Sequence, residues 1–154
     1  MKDDKRLRNP LIIQDDIINA IQTLNYPLFI DLGGSDTQNI NFCKMIGHSK
    51  VYPILSAAAK GSQEMMKLVL SNKTIDIQVK NEHGVNGFWI ACMFGHGEVM
   101  SLLADAGVDI MCVNNLGVNV LHLAVKQNYP TIVRMLLKSG FPLDSETNEG
   151  FTAF

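Results

Sequence analysis

Cys92 and His96 stand four residues apart, a spacing that on a helix sets a thiol beside an imidazole and would suit a nucleophile with its base. The competing reading is a packed, inert thiol. Other candidates for chemistry are weaker still. His122 has no partner at metal-ligand spacing. Asp15 and Asp16 are adjacent, so on a helix they point apart, as solvated carboxylates do. Gly33-Gly34 lacks the Gly-x-x-x-x-Gly-Lys-Ser/Thr pattern that cradles phosphate. Cys43, Cys92 and Cys112 are odd in number and without a Cys-x-x-Cys pair, which argues for free thiols in a reducing compartment, with the cytoplasm as the expected location. These residues call for no cofactor and no metal, and no enzymatic activity is expected.

Composition narrows the classes further. A length of 154 residues with 47% hydrophobic side chains suits one globular domain, and with a net charge of -2 and 18% charged residues there is no block of like charge long enough to suggest a nucleic-acid tail. Lys2, Lys5, Arg6 and Arg8 are interrupted by Asp3 and Asp4, the pattern of a solvated tail. No run approaches the ~20 apolar residues of a membrane span, and no signal segment is evident.

The elements that position these side chains recur. Gly84-Val85-Asn86-Gly87-Phe88-Trp89-Ile90-Ala91 returns 33 residues later as Gly117-Val118-Asn119-Val120-Leu121-His122-Leu123-Ala124, and a third glycine, Gly150, follows at the same interval. Going back 34 residues from Ala91 reaches Tyr52-Pro53-Ile54-Leu55-Ser56-Ala57-Ala58. A fixed period in the thirties marks stacked supersecondary units. Upstream, Asn9-Pro10 reads as an N-cap followed by proline in the first helical turn. Ile12, Ile13, Ile17, Ile18, Ala20, Ile21 and Leu24 then continue with helical spacing. Between Asn25 and Ser49 the pattern weakens: Asn39-Ile40-Asn41 has the look of a repeat's end but lies about three residues too far from Pro53, so a degenerate unit with an insertion is expected.

The run Leu121-His122-Leu123-Ala124, the Gly95-His96 turn, the small pair Ala57-Ala58 and the pairs Leu102-Leu103 and Leu136-Leu137 resemble the ankyrin repeat. The resemblance implies an all-α ankyrin-repeat solenoid of helix-turn-helix units. Residues 1–48 are expected to form a tail, a capping helix and a degenerate repeat. Residues 49–154 should hold about three repeats and the start of a fourth, and the absence of a polar terminal cap suggests the front of a longer protein. In the repeat frame Cys92 takes a small-residue position and His96 belongs to the turn. Trp89 and Leu55 replace the family's histidine, so those two repeats are expected to rely on apolar packing, with His122 alone keeping the polar bridge. Asn128 stands where the turn glycine is expected and Pro130 can open the helix that follows. At the asparagine that is hydroxylated in some family members, the chain has Gln78, Met111 and Asp144, which does not favour that modification.

Family resemblance further implies protein–protein recognition by the finger turns and the ends of the inner helices, on a concave face. Carried over by position, the fingers supply Glu82, His83 and Val85, then Asn115 and Leu116, and the inner helices supply Lys60, Met93, Phe94, Lys126 and Gln127. Met93 and Phe94 are the sharpest hint, either as an apolar anchor or as core packed on Tyr129 or Phe88. A monomer binding a protein partner is expected, and the alternative is a regulatory segment preceding a kinase, an acyltransferase or an ion channel.

Overall fold

The computed structural model describes residues 10–32 and 40–154. It is mostly helical, with α1 (Pro10–Gln22), α2 (Tyr26–Asp31), α3 (Pro53–Lys60), α4 (Gln63–Leu70), α5 (Gly87–Met93), α6 (Gly97–Asp105), α7 (Val120–Lys126) and α8 (Pro130–Lys138). Helices α3, α5 and α7 pack in one row, α4 and α6 in a second, and each outer helix folds back on its inner partner. Ala57, Ala58, Ala91 and Ala124 are fully buried, small enough for neighbouring inner helices to approach closely. Met65, Met66 and Val69 of α4 and Val99, Met100 and Leu103 of α6 are also fully buried. At ~1.5–3 kcal/mol for each large apolar side chain removed from water, this row holds the stack together.

Inner helices start in a repeated way. Asn86 and Asn119 cap α5 and α7 by accepting from the backbone N–H of Trp89 (3.1 Å) and His122 (3.0 Å). Asparagine therefore initiates both helices. Gly87 is buried where a side chain would meet Leu103 and Ala58. Pro130 opens α8, and Asn128 takes φ 57 in the preceding turn, the left-handed conformation expected of it.

Helix α1 lies against α3 and pairs with α2, so the two make up one helix pair. Further along, Asn41 donates to Thr74 O (2.5 Å) and accepts from Asp76 N–H (2.7 Å). Gln78 makes the same two bonds one repeat on, to Gly107 O (2.9 Å) and from Asp109 N–H (3.0 Å). Asn9 and the Gly33-Gly34 turn lie outside the described residues.

The register of Asn41 also locates the insertion. Gln78 to Asn86 and Met111 to Asn119 are eight residues each, whereas Asn41 to Tyr52 is eleven. The three extra residues lengthen the first finger into an antiparallel hairpin of β1 (Lys44–Ile46) and β2 (Ser49–Val51). Its two-residue loop begins with Gly47 at φ 63, as a tight hairpin turn requires. Lys44 ties the hairpin to α1 through Asp15 (2.5 Å).

Candidate interaction surface

Each later finger is closed by one side chain. Asn81 Oδ1 accepts from the N–H groups of His83 (3.0 Å) and Val85 (3.3 Å), and Asn114 Oδ1 accepts from those of Leu116 and Val118, both at 2.9 Å. Successive fingers are then stitched together. Asn115 Nδ2 donates to Glu82 O (3.0 Å) and Asn148 Nδ2 to Asn115 O (3.1 Å), 33 residues on. Glu82 Oε2 accepts from the N–H of Lys50 in the first finger (3.2 Å). Backbone N–H groups, its own first and then that of Lys50, with the nearby His83, hold the Glu82 carboxyl below its usual range. Glu82 and Asn115, assigned from sequence to partner contact, thus carry bonds within the stack.

Two rings stitch the inner helices in the other direction. His96 Nε2 donates to Ala59 O (3.1 Å) and Tyr129 Oη to Met93 O (3.5 Å), each covering a carbonyl at the end of the preceding inner helix. His96 also stacks on Phe94, ring centroids 6.2 Å apart.

At the family's histidine position the expectation of apolar packing for Trp89 fails. Its Nε1 donates to Val118 O (3.2 Å), as His122 Nε2 donates to Phe151 O (3.0 Å), and donors and acceptors are both 33 residues apart. The indole therefore makes the same inter-repeat bridge as the imidazole. Donation from Nε2 leaves His122 Nδ1 to accept from the Asn119 N–H (3.3 Å), which completes a capping box. Leu55, buried and apolar, follows the expectation.

The thiol–imidazole pair is not assembled. Cys92 Sγ reaches forward to Val120 O (3.5 Å) while His96 reaches back to Ala59. Burial pushes the Cys92 thiol up to about 12, so it stays protonated at neutral pH. Among the described residues no cluster of three metal-ligating side chains occurs, and no helix is long and apolar enough to cross a membrane.

Between the fingers and the inner helices lies an open groove of about 450 Å³. Tyr52, Leu55, Trp89, Ile90, Met93 and Leu116 give it an apolar lining. Phe94, His83, Val85 and Asn115 also border it, so six of the ten residues chosen from sequence converge here. Met93 and Phe94 are 40% and 49% exposed, which decides against packing as core, and Leu116 is 65% exposed. Val85, expected at a finger's surface, is only 3% exposed and serves the core beneath. Lys126 belongs to a neighbouring groove of about 500 Å³ that shares Trp89, Asn114 and Leu116. Lys60 and Gln127 are exposed but border neither groove. The hairpin wall, Lys50, Val51 and Tyr52, was missed from sequence. The signal that could have found it was Gly47-His48 between Met45-Ile46 and Val51.

Stacked helix pairs with stitched fingers and a grooved face define a helical repeat protein. The chain belongs to the ankyrin-repeat family, whose model matches residues 54–148 with three copies. It is similar to the E3 ubiquitin-protein ligase XBAT33 of Arabidopsis thaliana, 31% identical over 93 residues, 60% of this chain and 18% of that protein. It is also similar to the nuclear factor NF-kappa-B p105 subunit of Gallus gallus, 30% identical over 118 residues, 74% of this chain and 12% of that protein. A third relative is the potassium channel AKT2/3 of Arabidopsis thaliana, 28% identical over 101 residues, 66% of this chain and 12% of that protein. The chain thus spans less than a fifth of the length of these relatives.

Proposed function

We propose that this chain is a protein-recognition module, an adaptor or scaffold that holds a protein partner on its concave face and finger turns and performs no catalysis itself. One observation carries the reading: Met93 and Phe94 stand half-exposed on an open apolar groove while Phe88, Trp89, Ala91 and Cys92 of α5 are buried. Large apolar side chains in such a setting are what a partner's anchor residues cover. Inertness of Cys92 supports the absence of catalysis, and the net charge of -2 supports a protein ligand over nucleic acid. Packing of α1 on α3 supports residues 1–48 as a tail, capping helix and degenerate repeat ahead of the repeats of residues 49–154, in a chain that acts as a monomer. A cytoplasmic location accords with the free thiols.

A second reading is favoured by the lengths of the relatives. Since an E3 ubiquitin-protein ligase and a potassium channel are among proteins that the chain matches over only part of their length, it also suits the regulatory segment of a larger enzyme or channel.

The test is affinity capture from cell extract with the chain and with the double variant Met93→Ser, Phe94→Ser, each checked by a circular dichroism melt. A partner held by the parent and lost by the folded variant is the expected result. Retention of that partner by the folded variant would move the binding face elsewhere.

A further inference from the structure

Resting on the concave-face reading, we infer that the first groove takes an acidic, apolar segment of its partner, with a carboxylate beside large apolar side chains. The hydrogen-bonding inventory of the lining points that way. Lys50 is the one residue with a permanent charge that borders the groove, and no aspartate or glutamate does. Its ammonium forms no ion pair among the described residues. Both acceptor oxygens that the asparagines could offer at the finger bases are already used: Asn81 Oδ1 by two backbone N–H groups and Asn114 Oδ1 by two more. What these side chains have left is their amide N–H₂ groups, which are donors only. Asn115 Oδ1, the Ser56 and Tyr52 hydroxyls and one ring nitrogen of His83 are the side-chain acceptors that remain, against the Lys50 ammonium and the amide N–H₂ groups of three asparagines. Donors therefore outnumber acceptors, and a ligand rich in acceptors matches them.

Glu82, the carboxylate nearest this rim, is held by the Lys50 backbone N–H and lies beside the groove without bordering it. Its charge opposes the proposed ligand in part. Apolar surface adjoins the cation from the other side. Met45 is the cross-strand partner of Lys50, so the two share one face of the hairpin, and Met45 is 56% exposed. A carboxylate flanked by leucine or phenylalanine would meet Lys50 together with the apolar lining of Met93 and Leu116.

Trp89 is the only tryptophan of the chain and borders the groove, so its emission reports occupancy directly. The probes are two acetylated, amidated hexapeptides, one alternating glutamate with leucine and phenylalanine, the other carrying lysine for glutamate. At low salt the glutamate peptide should bind about tenfold more tightly, since the Lys50 ammonium attracts one peptide and repels the other. Lys50→Glu should invert the order, Lys50→Gln should cut the ratio to near one, and Glu82→Gln should raise it, with folding checked by circular dichroism. Equal affinity of both peptides for the parent chain would overturn the charge preference while leaving the apolar groove in place. No change in Trp89 emission with either peptide would overturn both.

Discussion

Trp89→His and Trp89→Phe separate two accounts of how the second repeat is joined to the third. If the site is purely apolar, phenylalanine is the better replacement, since it keeps the buried ring and avoids a polar edge, and histidine should be worse by about 2 kcal/mol. The structure argues otherwise. Val118 O accepts from the indole Nε1 as Phe151 O accepts from His122, so histidine at position 89 can restore that bond. By analogy with His122 and Asn119, its Nδ1 can also accept from the Asn86 N–H. Two recovered hydrogen bonds at ~1 kcal/mol each offset the lost apolar area. The loss in Trp89→Phe itself is moderated because Val118 O keeps its bond from Asn114 N–H (3.0 Å). Trp89→His should therefore be at least as stable as Trp89→Phe. Urea unfolding followed at 222 nm is the assay, and at an m-value of ~2 kcal/mol/M the two accounts differ by about 1 M in midpoint. A histidine variant about 1 M less stable than the phenylalanine variant would refute the bridge.

Gly61→Ala should be costly, because φ 74 is unfavourable to alanine and its Cβ would fall 2.4 Å from the His96 ring, displacing the bond to Ala59 O. Gly47→Ala, at φ 63 with open space around it, should lose only the ~1–2 kcal/mol of backbone strain, so thermal melts should rank Gly61→Ala clearly below it. Asn115→Ala removes the Nδ2 bond to Glu82 O and should lower stability by ~1 kcal/mol, seen as faster amide exchange in the fingers. In alkylation followed by mass spectrometry at pH 8, exposed Cys43 should react while buried Cys92 stays unmodified until the chain unfolds. Burial pushes the folded Cys92 thiol up to about 12, above the ordinary thiol range near 9, so the folded state holds this proton longer. Stability from Cys92 is then whole below about pH 9 and lost between 9 and 12, and Cys92→Ala should show a shallower alkaline decline.

What could be read from the sequence was whatever recurs at one spacing. Gly84, Gly117 and Gly150, the alanines of the inner helices and the leucine pairs repeat because stacking imposes the same close approach on every unit. Features that depend on geometry across repeats were hidden. Trp89 reads as apolar in a residue-by-residue comparison with histidine, yet both rings present an N–H at the same height above the next finger. Asn115 reads as an exposed finger tip, and only the stack shows that its amide is spent on Glu82 O. The groove residues Met93 and Phe94 were legible as an anomaly at a position where many repeats are polar. Their exposure was not, since Tyr129 offered an equally plausible cover until its hydroxyl was seen to reach Met93 O instead.

The central claim, recognition on the concave face, is tested most directly by amide hydrogen exchange of the chain with and without the purified captured partner. Slowed exchange at the end of α5, in the hairpin Lys44–Val51 and in the fingers around Asn81 and Asn114, with α4, α6 and α8 unchanged, is the predicted result. Protection confined to those outer helices would contradict it.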